Sequence, residues 1–134
     1  MSVRAIPLLV LAFVLYNAIV LMLGVDALTK EIFHLRLLSG GDWQFTWGDF
    51  ILLVTLILLF IEIVKSTFTT TSTLIDHALS MIVFIAVGAE FLTVPQAATS
   101  VFFLILIATL IDVIGGYTIG IRVARRDLNI GADQ

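Results

Sequence analysis

Four long apolar runs alternate with short polar breaks along the chain, covering residues 5–24, 47–64, 73–94 and 98–121. Within each run the apolar residues are continuous rather than alternating, which selects helices over strands. Each approaches the roughly 20 residues that carry a helix across about 30 Å of hydrocarbon. A chain this short cannot close a large membrane barrel. The expected fold class is therefore all-α integral membrane, a four-transmembrane-helix bundle forming a single domain over residues 1–134.

The boundaries carry local chemistry of the same kind. Thr46 stands three residues before Asp49, the spacing of a capping box at the start of the second run. Pro95 suits the first turn of the fourth helix, where its missing N–H costs nothing. A helix from Pro95 to Arg126 would be about 48 Å long and would protrude from the bilayer at one end. The hydroxyl run over residues 66–72 reads as a tight turn with helix caps, with phosphorylation as the alternative. Short second and third connections make the later helices antiparallel neighbours. The halves show no matching broken helices, so an inverted-repeat transporter is not expected.

The first connection is longer. Val25, Leu28, Ile32 and Leu35 recur with a helical period, and Lys30, Glu31, His34 and Arg36 fall between them. This predicts one amphipathic interfacial helix over residues 25–38, between spans one and two. Gly40-Gly41 ends it, and Trp43, Phe45 and Trp47 then read as interfacial anchors. A surface for a partner or substrate is the competing reading of this stretch.

Composition turns these runs into a membrane protein. Hydrophobic residues make up 60% of the chain and charged residues 13%, against about 45–50% and 25% in soluble domains. A lipid bilayer is the expected partner. The net charge of −3 argues against nucleic acid, which needs a basic face. There is no cysteine, which excludes disulfides and thiolate chemistry. The two histidines, His34 and His77, lack an i, i+4 partner, so neither a metal nor any cofactor is expected.

Charge also sets direction. Arg4, Lys65, Arg122, Arg125 and Arg126 flank one side of the four runs, while Lys30 and Arg36 flank the other. The positive-inside rule then puts the N and C termini in the cytoplasm. Met1–Arg4 resembles a signal-peptide n-region, but the apolar stretch after it exceeds the usual h-region of about 7–15 residues, so an uncleaved first helix is expected. The lack of a Ser/Arg-rich leader favours the inner membrane of a bacterial cell.

Ionisable groups within the runs are the natural candidates for chemistry, because lipid makes each one costly. Asp112 falls near the middle of the fourth run, among Ile, Leu and Val. Ala108, Asp112, Gly116 and Gly120 share one helical face, and Gly115 widens it into a helix-packing groove of the small-xxx-small kind. Tyr16 and Asn17, near mid-depth of the first run, and Thr109 are candidate partners of Asp112. Glu62 pairs with Lys65 at i, i+3. Asp49 and the Asp76-His77 step suit helix N-termini, and Glu90 lies one turn inside the outer end of the third run. Glu62 and Asp76, then Asp112, then Glu90 and Asp49 form a carboxylate ladder of the kind a proton or cation path needs. Ordinary snorkelling helix ends, with Asp112 as a hydrogen-bonded structural carboxyl, give the same pattern.

No phosphate-loop, nucleophile-elbow, zinc-protease or dinucleotide motif occurs. Asp76 and His77 beside Ser72 and Ser80 do not make a triad, because neighbours on a helix diverge by about 100°. No catalytic residue is assigned and the chain is not expected to be an enzyme. The layout of four spans with a longer first connection, together with Ile63-Val64-Lys65 at the end of span two, is similar to phosphate-starvation-inducible E-like proteins. No functional residue follows from that likeness. The expected function is a non-enzymatic packing, assembly or accessory subunit, as a homo-oligomer or within a larger membrane complex. The alternative is a homo-oligomeric channel or a proton- or cation-coupled transporter using Asp112.

Overall fold

The computed structural model describes residues 6–68 and 73–132. Arg4 and the hydroxyl residues at 69–72 therefore lie outside the described residues, and so does the capping expected of them. Four α-helices carry the fold: α1 (Leu9–Leu23), α2 (Trp47–Lys65), α3 (Thr73–Thr93) and α4 (Ser100–Ala132). Two of them, α2 and α3, with the span Ser100–Arg122 of α4, are long and apolar enough to cross a membrane. At 15 residues, α1 is shorter, about 22 Å end to end.

Helix ends follow the sequence chemistry closely. Gly24 closes α1 with φ +90° while its N–H bonds Val20 O at 2.8 Å, a backbone conformation that a β-carbon would strain. The capping box opens α2: Asp49 N–H donates to Thr46 Oγ1 at 3.2 Å, and Thr46 N–H donates to Asp49 Oδ2 at 3.1 Å. Pro95 opens a separate 3-10 turn, Pro95–Ala97, rather than α4 itself. Thr99 Oγ1 instead accepts the Phe102 N–H at 3.2 Å and caps α4, whose 33 residues extend about 50 Å.

The first connection departs from the sequence expectation. In place of an amphipathic helix over residues 25–38, a 3-10 turn (Val25–Thr29) leads into a two-stranded antiparallel hairpin, β1 (Glu31–Arg36) and β2 (Asp42–Thr46). The helical reading left Phe33 off its apolar stripe. In the strand, Phe33 and Leu35 stand on one face and pair with Phe45 and Trp43. The turn is made at Gly40 with φ +88°, Leu37 N–H bonding Gly41 O at 2.8 Å. Period two, aromatic content and a glycine turn outweighed four residues at helical spacing.

α4 is the central element, packed on both α2 and α3, while α1 lies against α2. The main core joins Tyr16, Val20, Leu28, Ile51, Val87, Phe102 and Ile105. Phe102 sits at its hub, edge-on to Tyr16 at 4.9 Å and stacked with Phe91 at 6.3 Å. A second cluster, Leu9, Leu59 and Ala108, joins α1, α2 and α4. Close packing extends to backbone: a Cβ on Gly48 would meet Leu28 O and Val101 Cγ2 at 3.0 Å. Outside this core the helices present large apolar side chains, among them Leu56, Phe60, Ile82, Ile85 and Ile114. Only 11% of the α3 span is buried inside the protein, so most of α3 needs an apolar surrounding.

Candidate functional site

Three helices bring polar side chains together where α2 ends and α3 begins. Each contributes a pair at i, i+4, hence on one face: Glu62 and Ser66 from α2 and its C-cap, Asp76 and Ser80 from α3, Asp112 and Gly116 from α4. Lys65, Phe68 and His77 complete the lining of a cavity of about 40 Å³. That is room for about three or four waters, given roughly 10–15 Å³ for each. Asp112 is 6% exposed and Glu62 8%, whereas Lys65, Ser66, Asp76 and His77 are half-buried. The chamber is thus closed around Asp112 and reached from the side of Lys65 and Ser66.

Its electrostatics are those of three carboxylates against one ammonium and one imidazole. Glu62 Oε1 accepts from Lys65 Nζ at 3.1 Å and from the Leu8 backbone N–H at 2.7 Å. The second contact satisfies a free N–H at the start of α1 and places a negative charge where the helix dipole favours it. Ser80 and Asp112 face the same cavity from α3 and α4. Asp76 Oδ1 is buried without a partner among the described residues, an oxygen that a chamber water would satisfy. Among the described residues no trio of His, Asp or Glu is arranged to hold a metal ion.

Gly116 has a specific task here. A Cβ built on it would meet His77 Cε1 at 3.4 Å and Ser66 Cβ at 3.9 Å. These are ordinary van der Waals distances, so a methyl fits, while a side chain larger than alanine would press on the imidazole. His77 also stands edge-on to Tyr117 at 5.7 Å. Beyond it, Met81, Val113, Ile114 and Tyr117 line an apolar groove of about 440 Å³ between α3 and α4. Gly115 has nothing within 4 Å of its would-be Cβ, Gly120 lies a turn further along α4, and Ala108 is buried in the second core cluster.

A separate polar cluster sits at the hairpin end. Tyr16 Oη donates to Gln96 O at 2.8 Å and lies 2.7 Å from Thr99 Oγ1. Asn17 Nδ2 donates to Glu90 Oε2 at 3.1 Å and to Phe13 O at 3.0 Å. Tyr16 and Asn17 therefore do not meet Asp112, as their depth in the sequence suggested. Tyr16 is level with the first residues of α4, about 20 Å along that helix from Asp112. The cause is register: the start of α1, at Leu8, is level with Glu62. Thr109 bonds Leu106 O at 2.6 Å, within its own helix. Between the clusters the bundle is filled by Ile51, Val87, Phe102 and Ile105, all fully buried.

Of the candidate residues, Asp112 and Glu62 share the chamber, while Tyr16, Asn17 and Glu90 share the hairpin-end cluster. Trp43 and Phe45 stand on β2, and Trp47 opens α2 with its ring edge-on to Phe50 at 5.9 Å. Sequence reasoning did not join His77, Ser80 and Lys65 to Asp112. The i, i+4 spacing of Asp76 and Ser80 was the available signal. No protein-family model, curated protein or solved structure matches the chain, so the likeness drawn from Ile63-Val64-Lys65 gains no support from comparison.

Proposed function

We propose that this chain is a non-enzymatic protein of the cell inner membrane that crosses it four times, with both termini cytoplasmic, and exchanges protons or a small monovalent cation at Asp112. The observation that carries the reading is the convergence of Asp112, Glu62 and Asp76 from three helices on one water-sized cavity. Carboxylates buried in the membrane part of a bundle are costly and usually mark such exchange. On this topology the chamber faces the cytoplasm, because Lys65 is one of the cations that orient the chain. Positioned water would link Asp112 to that side, with His77 and Asp76 as further proton-exchanging groups.

The fully buried Phe102, Ile105 and Val87 separate the chamber from the hairpin end. Passage across the whole membrane therefore needs either movement of this apolar plug or a route between copies, and the second route requires a homo-oligomer. The same plug favours a second reading, in which the chain is a packing or accessory subunit of a larger membrane complex and the chamber serves structure alone.

Purified protein in liposomes separates the two. Proton, sodium and potassium flux is measured for the wild type and for Asp112→Asn, with folding checked by thermal unfolding. Exchange at Asp112 requires wild-type flux that falls at least about tenfold in the variant. Equal flux in the two proteins removes Asp112 from any transport role. Absent flux in both leaves the subunit reading.

A further inference from the structure

The β1–β2 hairpin is amphipathic in a way its neighbours do not use. Its register sets Phe33 opposite Phe45 and Leu35 opposite Trp43 on one face, with His34 opposite Gln44 and Arg36 opposite Asp42 on the other. Phe33 stacks on Phe45 at 4.9 Å, and Trp43 stands edge-on to both at 5.7 Å. The aromatic face is thus ordered, but the bundle does not cover it: every residue of β1 is exposed, and so is Trp43. The tip adds Leu37 and a fully exposed Leu38. An isolated two-stranded hairpin is marginal in water, so a large aromatic face with nothing over it calls for an apolar partner.

The position of the face decides which partner. β2 runs directly into α2, Trp47 N–H bonding Lys30 O at 3.1 Å at the junction. Exposed Leu21, Met22 and Leu23 end α1, one 3-10 turn before β1 in the chain. The hairpin therefore emerges at the level where α1 ends and α2 begins. Tryptophan and phenylalanine at that level, backed by a charged opposite face, match the bilayer interface.

We infer that the hairpin is a membrane-interface anchor: its Phe33–Phe45–Leu35–Trp43 face and Leu38 tip sink into the outer-leaflet boundary between headgroups and acyl chains, while its His34 and Arg36 face stays in water. This rests on the membrane reading above. It gives the first connection a lipid-holding role that would fix the tilt of α1 and α2.

The chain has only two tryptophans, so each can report alone. Trp47→Phe leaves Trp43, and Trp43→Phe leaves Trp47. Each variant is reconstituted in phosphatidylcholine–phosphatidylglycerol vesicles with acyl chains brominated close to the headgroup. The expected result is blue-shifted Trp43 emission, quenched by the brominated lipid and shielded from aqueous iodide, to the same degree as Trp47. Trp43 quenched by iodide and untouched by brominated lipid overturns the anchor. Shielding from both, with Trp47 still lipid-quenched, overturns it in favour of a protein cover such as a second copy. Failure of lipid quenching at Trp47 as well overturns the membrane reading itself. Should Trp47→Phe fail to fold, Leu38→Cys carrying an environment-sensitive dye supplies the same comparison, in a chain with no other cysteine.

Discussion

The backbone N–H of Leu8 donates to Glu62 Oε1 at 2.7 Å across 54 positions of the chain. That bond ties the start of α1 to the end of α2, and the same oxygen receives Lys65 Nζ at 3.1 Å. Removing the carboxylate leaves a half-buried ammonium and a helix N–H without partners. Glu62→Ala is expected to cost about 1–3 kcal/mol of stability in detergent unfolding. Glu62→Gln keeps an oxygen for Leu8 and should cost less. A variant as stable as wild type would show that water replaces both contacts.

The neighbouring glycines of α4 should behave in opposite ways. Gly116→Ile places bulk within 3.4 Å of His77, and overpacking of this kind costs about 1–3 kcal/mol. The loss should appear in a single solubilised chain, whatever its oligomeric state, and His77→Ala should recover part of it. Gly115 has open space at its Cβ, so Gly115→Ala should be neutral or stabilising by up to about 1 kcal/mol through helix propensity. Equal effects at the two positions would refute the assignment of Gly116 to the chamber wall.

The hairpin-end cluster is expected to be a fastening, separate from the chamber. Tyr16→Phe deletes the contacts to Gln96 O and Thr99 Oγ1, at about 1 kcal/mol. Asn17→Leu deletes the donor to Glu90 at a similar cost. Both variants should unfold more easily while leaving ion flux per folded molecule unchanged. A flux defect in folded Asn17→Leu would join the clusters into one path and contradict the apolar plug.

Much of the local structure was readable beforehand, and most of the assembly was not. Thr46 and Asp49 announced the start of α2 because a capping box involves only residues three apart. Glu62 and Lys65 announced their ion pair for the same reason. The partners of Asp112 were misplaced because they depend on how far one helix slides against the next, which periodicity within a helix does not encode. Counting from residue 5 set Tyr16 at mid-depth, whereas α1 starts level with Glu62 and sends Tyr16 to Thr99. The hairpin was missed at Phe33, where a strand and a helix make competing claims on the same residues and the pairing strand, Asp42–Thr46, decides between them.

The central claim is that the Asp112 carboxyl exchanges its proton or cation with chamber water. Infrared difference spectroscopy of the protein in lipid, after a pH step or sodium addition, reads that carboxyl directly. The account predicts a carboxyl C=O band that responds in the wild type and is missing in Asp112→Asn, with the backbone amide bands unchanged. A difference spectrum identical in the two proteins would contradict it, and would leave Asp112 as a structural carboxyl in the chamber wall.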